Sequence, residues 1–352
     1  MRRECGYHFV VRAAVRRTRS KPRNQPVQTF VDAGHAGEKM EDPLVEPEAG
    51  GGDTGTAQFD DTPRAERGLR VQRTPVRARE HRQREGEGRK PPGLVTMRCR
   101  YELRENGKVV LVYNYGPQLK PGAPDDRRRC CYLYPVYTPA GVSVLDDFPQ
   151  DHWHHRGIFW SWPVVETEGK TYDNWMTLTA RDRNTGPPKV EGTHLTVQNI
   201  WQAAGKDIVR EDVRITAFAT QQNSRELEVE VKLEALSAPV TLRGSREAGK
   251  SYGGFSARFA PRENTILRAD GEVLTKDEDL TPRHWAELEG VYNGKKATLR
   301  IIPETSVPDQ WCLRNYGFVG ASFPGKTATS DGYTLERGKP LTLKFRVKLS
   351  DL

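Results

Sequence analysis

The sequence predicts an all-β protein, a large antiparallel β-supersandwich preceded by a disordered basic tail. Three observations carry this. Residues 225–236 alternate: Leu227, Val229, Val231 and Leu233 share one face, and Glu226, Glu228, Glu230, Lys232 and Glu234 share the other. That is the pattern of an antiparallel strand with one wet face. About a dozen such stretches, separated by turn residues, fill residues 97–352, as in a sandwich or barrel. Nothing there has the apolar period of an amphipathic helix.

The chain has 352 residues and a formal charge of +8. Residues 1–95 hold 19 Lys and Arg against 14 Asp and Glu, so much of the excess lies there. They have no sustained period and few aromatic or branched residues. Such a segment cannot bury enough surface to offset its ordering entropy. It is expected to be a solvated, disordered Arg/Pro/Gly-rich tail, with nucleic-acid binding disfavoured. The abrupt change of texture near Met97 also suggests that the native chain begins there. No signal peptide is apparent, because Gly6–Val10 is too short for an apolar core and arginines follow. No apolar run reaches the roughly 20 residues of a membrane span. The five cysteines are Cys5, Cys99, Cys130, Cys131 and Cys312. They are odd in number and lack C-x-x-C spacing, which argues against a disulfide framework or zinc ribbon. On a strand, adjacent Cys130 and Cys131 would face opposite sides.

Residues 96–352 read as one sandwich domain. Residues 98–104 and 108–114 alternate around Asn106-Gly107, a hairpin signal. A polar loop with Pro117, Pro121 and Pro124 leads to an aromatic strand over 130–138, which ends at Pro139-Ala140-Gly141. Further strands are expected at 193–203, 209–220, 225–236, 252–260, 286–292, 297–303, 317–322 and 341–349.

Chemistry concentrates in one run, Asp146-Asp147-Phe148-Pro149-Gln150-Asp151-His152-Trp153-His154-His155-Arg156-Gly157, which opens into an apolar stretch ending at Trp162. Three of the eight histidines fall within four positions. In an extended backbone His152 and His154 would project to one side and His155 to the other. A His-x-His pair can present two imidazoles to one metal, with Asp146, Asp147 or Asp151 adding a carboxylate. The same residues suit acid–base chemistry, a carboxylate fixing an imidazole tautomer. They equally suit ligand binding, since Trp and Tyr faces stack on sugar rings while Asp, His and Arg bond hydroxyls.

Tyr252-Gly253-Gly254 precedes a strand on which Ser256 and Arg258 share a face, and the glycines would permit close approach of a ligand or another strand. Trp311–Phe318 reads as a strand-entry loop in which Arg314 and Asn315 could complete a site. Trp175, Trp201 and Trp285 are assigned to packing, and His194 and His284 to structural roles.

The histidine run, with Ser251-Tyr252-Gly253-Gly254, Trp285 to Gly290 and Arg314-Asn315-Tyr316-Gly317-Phe318, resembles the Asp-Phe-Pro…Asp-His-Pro-His-His-Arg-Gly signature of a bacterial family of unknown function. The family is known as DUF6807 and often labelled methane oxygenase PmoA. The resemblance covers residues 98–352. Trp153 stands where the family usually has proline, which leaves the loop less rigid. The resemblance implies a galactose-mutarotase-like β-sandwich, occurrence in glycan-degrading bacteria, and frequent export to the periplasm or beyond. Its label implies a metal.

The expected function is carbohydrate binding or processing in a concave site. His152, His154 and His155 form the centre, one of them acting as general acid or base, with Asp147 or Asp151 orienting an imidazole. Trp153, Tyr252 and Asn315 line the ligand, and Arg156, Arg258 and Arg314 bind hydroxyls or a carboxylate. The alternatives are an oxidoreductase using a copper or divalent ion on His152 and His154, and a non-catalytic glycan-binding module.

Overall fold

The structure is a computed structural model that describes residues 10–12, 70–72, 99–191, 193–248, 250–304, 310–325 and 331–352. The expected tail over residues 1–95 therefore lies outside the described residues, apart from a short antiparallel pair, Val10–Arg12 with Arg70–Gln72. The proposed start near Met97 lies outside them too.

From residue 99 the described chain is all β, with one short 3-10 turn at Asp125–Arg127. Every strand pairing among the described residues is antiparallel. A ten-stranded sheet runs in the order Lys189–Glu191, His194–Ala203, Lys206–Ala217, Ser224–Ala235, Leu341–Asp351, Lys295–Pro303, Ala286–Tyr292, Glu263–Ala269, Glu272–Val273, and Ala180–Asn184 also pairs with its second strand. An eight-stranded sheet runs Glu278–Pro282, Gln310–Arg314, Phe318–Ser322, Gly254–Arg258, Ile158–Ser161, Tyr132–Val136, Lys108–Asn114, Arg100–Glu105. A four-stranded sheet holds Tyr333–Leu335, Val240–Arg243, Val164–Thr167 and Lys170–Tyr172. Among the described residues no helix is long and apolar enough to cross a membrane.

The two large sheets pack through their alternating apolar faces. Leu227, Val229, Val231 and Leu233 are buried as the alternation predicts, and the acidic residues between them are half-exposed. Phe255 of the eight-stranded sheet stacks on Phe345 of the other at 4.1 Å, and Trp162 meets Trp201 at 5.4 Å. One carboxylate is enclosed between them. Glu211 is 1 % exposed and accepts hydrogen bonds from Trp160 Nε1 and Trp201 Nε1, both 2.9 Å, and from Asn199 Nδ2, 2.7 Å. Burial, with Asp182 nearby, pushes its carboxyl up to about 7. Three donors make this burial tolerable, because a buried carboxylate without partners would cost several kcal/mol, and the one from Trp160 ties the eight-stranded sheet to the ten-stranded one.

The Asn106-Gly107 hairpin forms, with both residues at positive φ as a primed turn requires. Three local expectations need correction. Cys130 and Cys131 do not diverge: Cys131 has φ +67, outside the strand region, and the two sulfurs lie 2.9 Å apart. Trp311 does not open a loop but sits in strand Gln310–Arg314, paired on both sides. Trp285 is half-buried, and its ring lies 3.8 Å below the Arg300 guanidinium rather than in the core.

Candidate functional site

The eight-stranded sheet has a second face, turned away from the sandwich core. Pleating sends Ile158 and Trp160, Trp311 and Leu313, and Val319 and Ala321 into the main core. Their neighbours Phe159, Cys312 and Phe318 point the other way and form a separate apolar cluster with Tyr132 and Trp175. A cleft of about 290 Å³ opens above that cluster. Its walls come from the histidine loop, the Trp175 loop, the segment before Gly254, and the turn after Arg314.

The histidine loop is a pair of turns, not a strand. His152 N–H donates to Pro149 O and His155 N–H to His152 O. The expectation of His152 and His154 on one side and His155 on the other is therefore wrong, since it assumed an extended backbone. The turns fold all three imidazoles onto one cleft wall. His152 stacks on His155 at 4.6 Å and 8°, and on Tyr316 at 5.3 Å and 9°. His154 meets His155 edge-on at 4.5 Å.

Arg156 builds this loop. Expected to touch ligand, it is instead wholly buried, and its guanidinium donates to the carbonyls of Trp153, His155 and Arg127 at 2.8, 2.6 and 2.5 Å. It lies 3.4 Å from the Phe148 ring centroid and 3.7 Å from Asp147 Oδ1. Asp147 is also below the cleft, where it accepts from Tyr132 Oη at 3.0 Å. Burial raises its carboxyl to about 6 against the pull of Arg156. Gly157 closes the loop where no side chain fits: a Cβ there would overlap Leu133 O and come within 2.9 Å of Tyr134 Cβ.

Asp151 takes the orienting position. Its Oδ2 lies 2.9 Å from His152 Nδ1, and both its oxygens accept from Arg258 Nη2 at 2.9 and 2.7 Å. Burial would raise the Asp151 carboxyl, but the hydrogen bonds from His152 and Arg258 outweigh it and hold the group below the usual range. Arg258 is itself nearly buried, lies 4.7 Å from the Tyr316 ring, and does not line the cleft. The other two histidines are held uncharged. Burial, then the neighbouring charge of His152, lowers His154 to about 3. Burial and His154 push His155 well below the usual imidazole range. His155 Nδ1 is buried without a hydrogen-bond partner.

The remaining candidates divide. Tyr252 and Arg314 line the cleft; Trp153 and Asn315 do not. Asn315 instead contributes its backbone, its N–H donating to Asp277 and its carbonyl accepting from Arg262. Gly253 and Gly254 serve chain packing rather than ligand approach. A Cβ on Gly253 would meet Gly244 Cα at 3.0 Å, and one on Gly254 would meet Ala321 O at 2.6 Å. Sequence reasoning missed Met176, Glu247, Lys250, Cys312, Tyr316 and Phe318 as lining residues, and placed Trp175 in the core. Tyr316 and Phe318 stood in a motif already singled out; Glu247 and Lys250 gave no signal. Burial raises the Cys312 thiol to about 12, which keeps it from acting as a thiolate.

The stacked pair His152 and His155 does not suit a shared metal. Ligation needs nitrogens converging on a point about 2 Å from each. His152 and His155 are parallel and stacked, so their in-plane lone pairs do not converge on one point. Among the described residues no three His, Cys, Asp or Glu groups converge for a metal.

A comparison with curated proteins finds no match. Among solved structures, one described as "Putative kojibiose phosphorylase from human microbiome" aligns over 68 % of this chain at 9 % identity and a TM-score of 0.29. This chain spans about a quarter, 26 %, of that protein. Residues 100–351, which include the histidine loop and every wall of the cleft, match the family described as "Family of unknown function (DUF6807)", and the chain belongs to that family.

Proposed function

We propose that the cleft binds a sugar and catalyses a proton transfer on it, with His152 as general base and acid. The observation that carries this reading is the Arg258–Asp151–His152 relay at the aromatic mouth of the cleft. A carboxylate on Nδ1 favours the tautomer that leaves Nε2 free to accept a proton, and it stabilises the imidazolium that results. Arg258 and the stacked rings of His155 and Tyr316 hold the imidazole in place.

The other walls suit a sugar. Trp175 and Tyr252 lie 4.9 Å apart and, with Phe318, offer apolar faces to ring C–H groups. His154 and His155 stay neutral and can each donate one hydrogen bond and accept another. The test is to incubate the protein in D2O with a panel of mono- and oligosaccharides and follow deuterium incorporation and new species by NMR. Turnover is expected on at least one sugar. His152→Ala should lower it by about 10²–10⁴-fold, the usual weight of general acid–base catalysis, while binding persists. Unchanged turnover in His152→Ala, or binding without turnover across the panel in the wild type, would overturn the catalytic assignment.

A further inference from the structure

Each cationic side chain on the cleft wall, among the described residues, carries its own carboxylate. Arg314 donates through Nη1 to the carbonyls of Glu278 and Leu313 at 2.9 and 3.1 Å, and through Nη2 to Asp279 at 2.7 Å. Its Nε lies 3.9 Å from Asp277. Lys250 Nζ lies 2.7 Å from Glu247, which also accepts from Tyr252 Oη. Hydrogen bonds from Lys250 and Tyr252 hold the Glu247 carboxyl below the usual range, so it stays charged. Arg156 and Arg258, the other arginines expected to meet ligand, are turned inward.

From this pairing we infer that the site selects uncharged sugars and rejects uronates and sugar phosphates of the same stereochemistry. The inference rests on the sugar reading above and narrows it to a substrate class. A carboxylate or phosphate entering the cleft gives up water. To recover that cost it must compete with Glu247 or Asp279 for a cation already bound. A hydroxyl has no such difficulty. It both donates and accepts, so it can pair with a neutral imidazole of either tautomer on the cleft wall. Burial keeps His154 and His155 neutral, so neither becomes the missing cation, and His152 already carries Asp151 as its own carboxylate. The Lys250–Glu247 pair is half-exposed, so its neutralising effect is the part of this arrangement most open to change by mutation.

The experiment is calorimetric titration of the full chain with matched sets of methyl glycosides. Each set has a neutral hexoside, its uronate and its 6-phosphate, in the gluco, galacto and manno series. The expected result is binding of at least one neutral member, with its charged partners at least tenfold weaker. Glu247→Gln, which frees Lys250, should narrow that ratio several-fold by strengthening the uronate. A charged member binding as tightly as its neutral partner would overturn the selectivity and leave sugar binding standing. An unchanged ratio in Glu247→Gln would overturn its electrostatic cause. Failure of every glycoside to bind would overturn the sugar reading itself.

Discussion

Among single residues, the candidate site is supported by two arginines that do not line the cleft. Arg156 holds three loop carbonyls, and Arg258 holds Asp151. Lysine keeps the charge of either but not the planar fork. Arg258→Lys should therefore loosen Asp151 and, through it, His152. The expected outcome is a fall in kcat of about tenfold or more with KM nearly unchanged, because a positioning contact is lost rather than a binding one. Steady-state kinetics on a turned-over sugar check this, and a rise in KM alone would count against the relay. Arg156→Met leaves Asp147 facing an apolar side chain. It should lower stability by about 3–5 kcal/mol, the range for breaking a buried charge pair. Urea unfolding measures it.

At the scale of elements, two glycines separate two kinds of constraint. Gly107 sits at φ +80 in the first hairpin, and a Cβ placed on it would have nothing within 4 Å. Gly157 lies where the histidine loop crosses strand Tyr132–Val136, and a Cβ there meets Leu133 and Tyr134. Gly107→Ala should cost about 1 kcal/mol, a purely conformational penalty. Gly157→Ala should cost more, about 1–3 kcal/mol from overpacking, and should also shift the histidine loop. Equal losses in thermal unfolding, or unchanged histidine resonances in Gly157→Ala, would contradict this account.

At the scale of the whole molecule, buried ionisable groups shape the pH dependence of folding. His154 falls from 6.5 to about 3, and burial also pushes His155 well below the usual imidazole range. The unfolded chain binds their protons first, so the stability they confer is full above pH 6.5 and drains away as pH falls. Asp147 rises from 3.8 to about 6 and Glu211 from 4.5 to about 7, with the opposite sign. The folded state takes up their protons first, so they add stability as pH falls through that window. Between about pH 4.5 and 6 the two pairs nearly cancel. Between about pH 4 and 3 His154 acts without that opposition, worth about 1.4 kcal/mol per pH unit, and His155 acts in the same direction. Depressed carboxylates such as Asp151 and Glu105 steepen the loss. Urea unfolding across pH should show a shallow region and then a steep fall, and His154→Gln should reduce the steep slope by about one proton. A slope unaltered by that change would show that His154 is not held neutral.

Most of the strands and the position of the candidate site follow from the order of residues alone. Alternation is a local property, so Ser224–Ala235, Ala286–Tyr292 and the Asn106-Gly107 hairpin were legible, as was the density of histidines before Ile158. Short strands such as Val164–Thr167 and Val240–Arg243 were not, because their mutual pairing joins segments about 75 residues apart. Which polar residues face the cleft emerges from three-dimensional packing. Turns over Pro149–His155 brought all three imidazoles to one cleft wall, and burial turned Arg156 and Arg258 from expected ligand contacts into supports. Side-chain direction in a loop depends on backbone turns and on partners distant in sequence. Neither leaves a period to read, so composition located the site while packing assigned its parts.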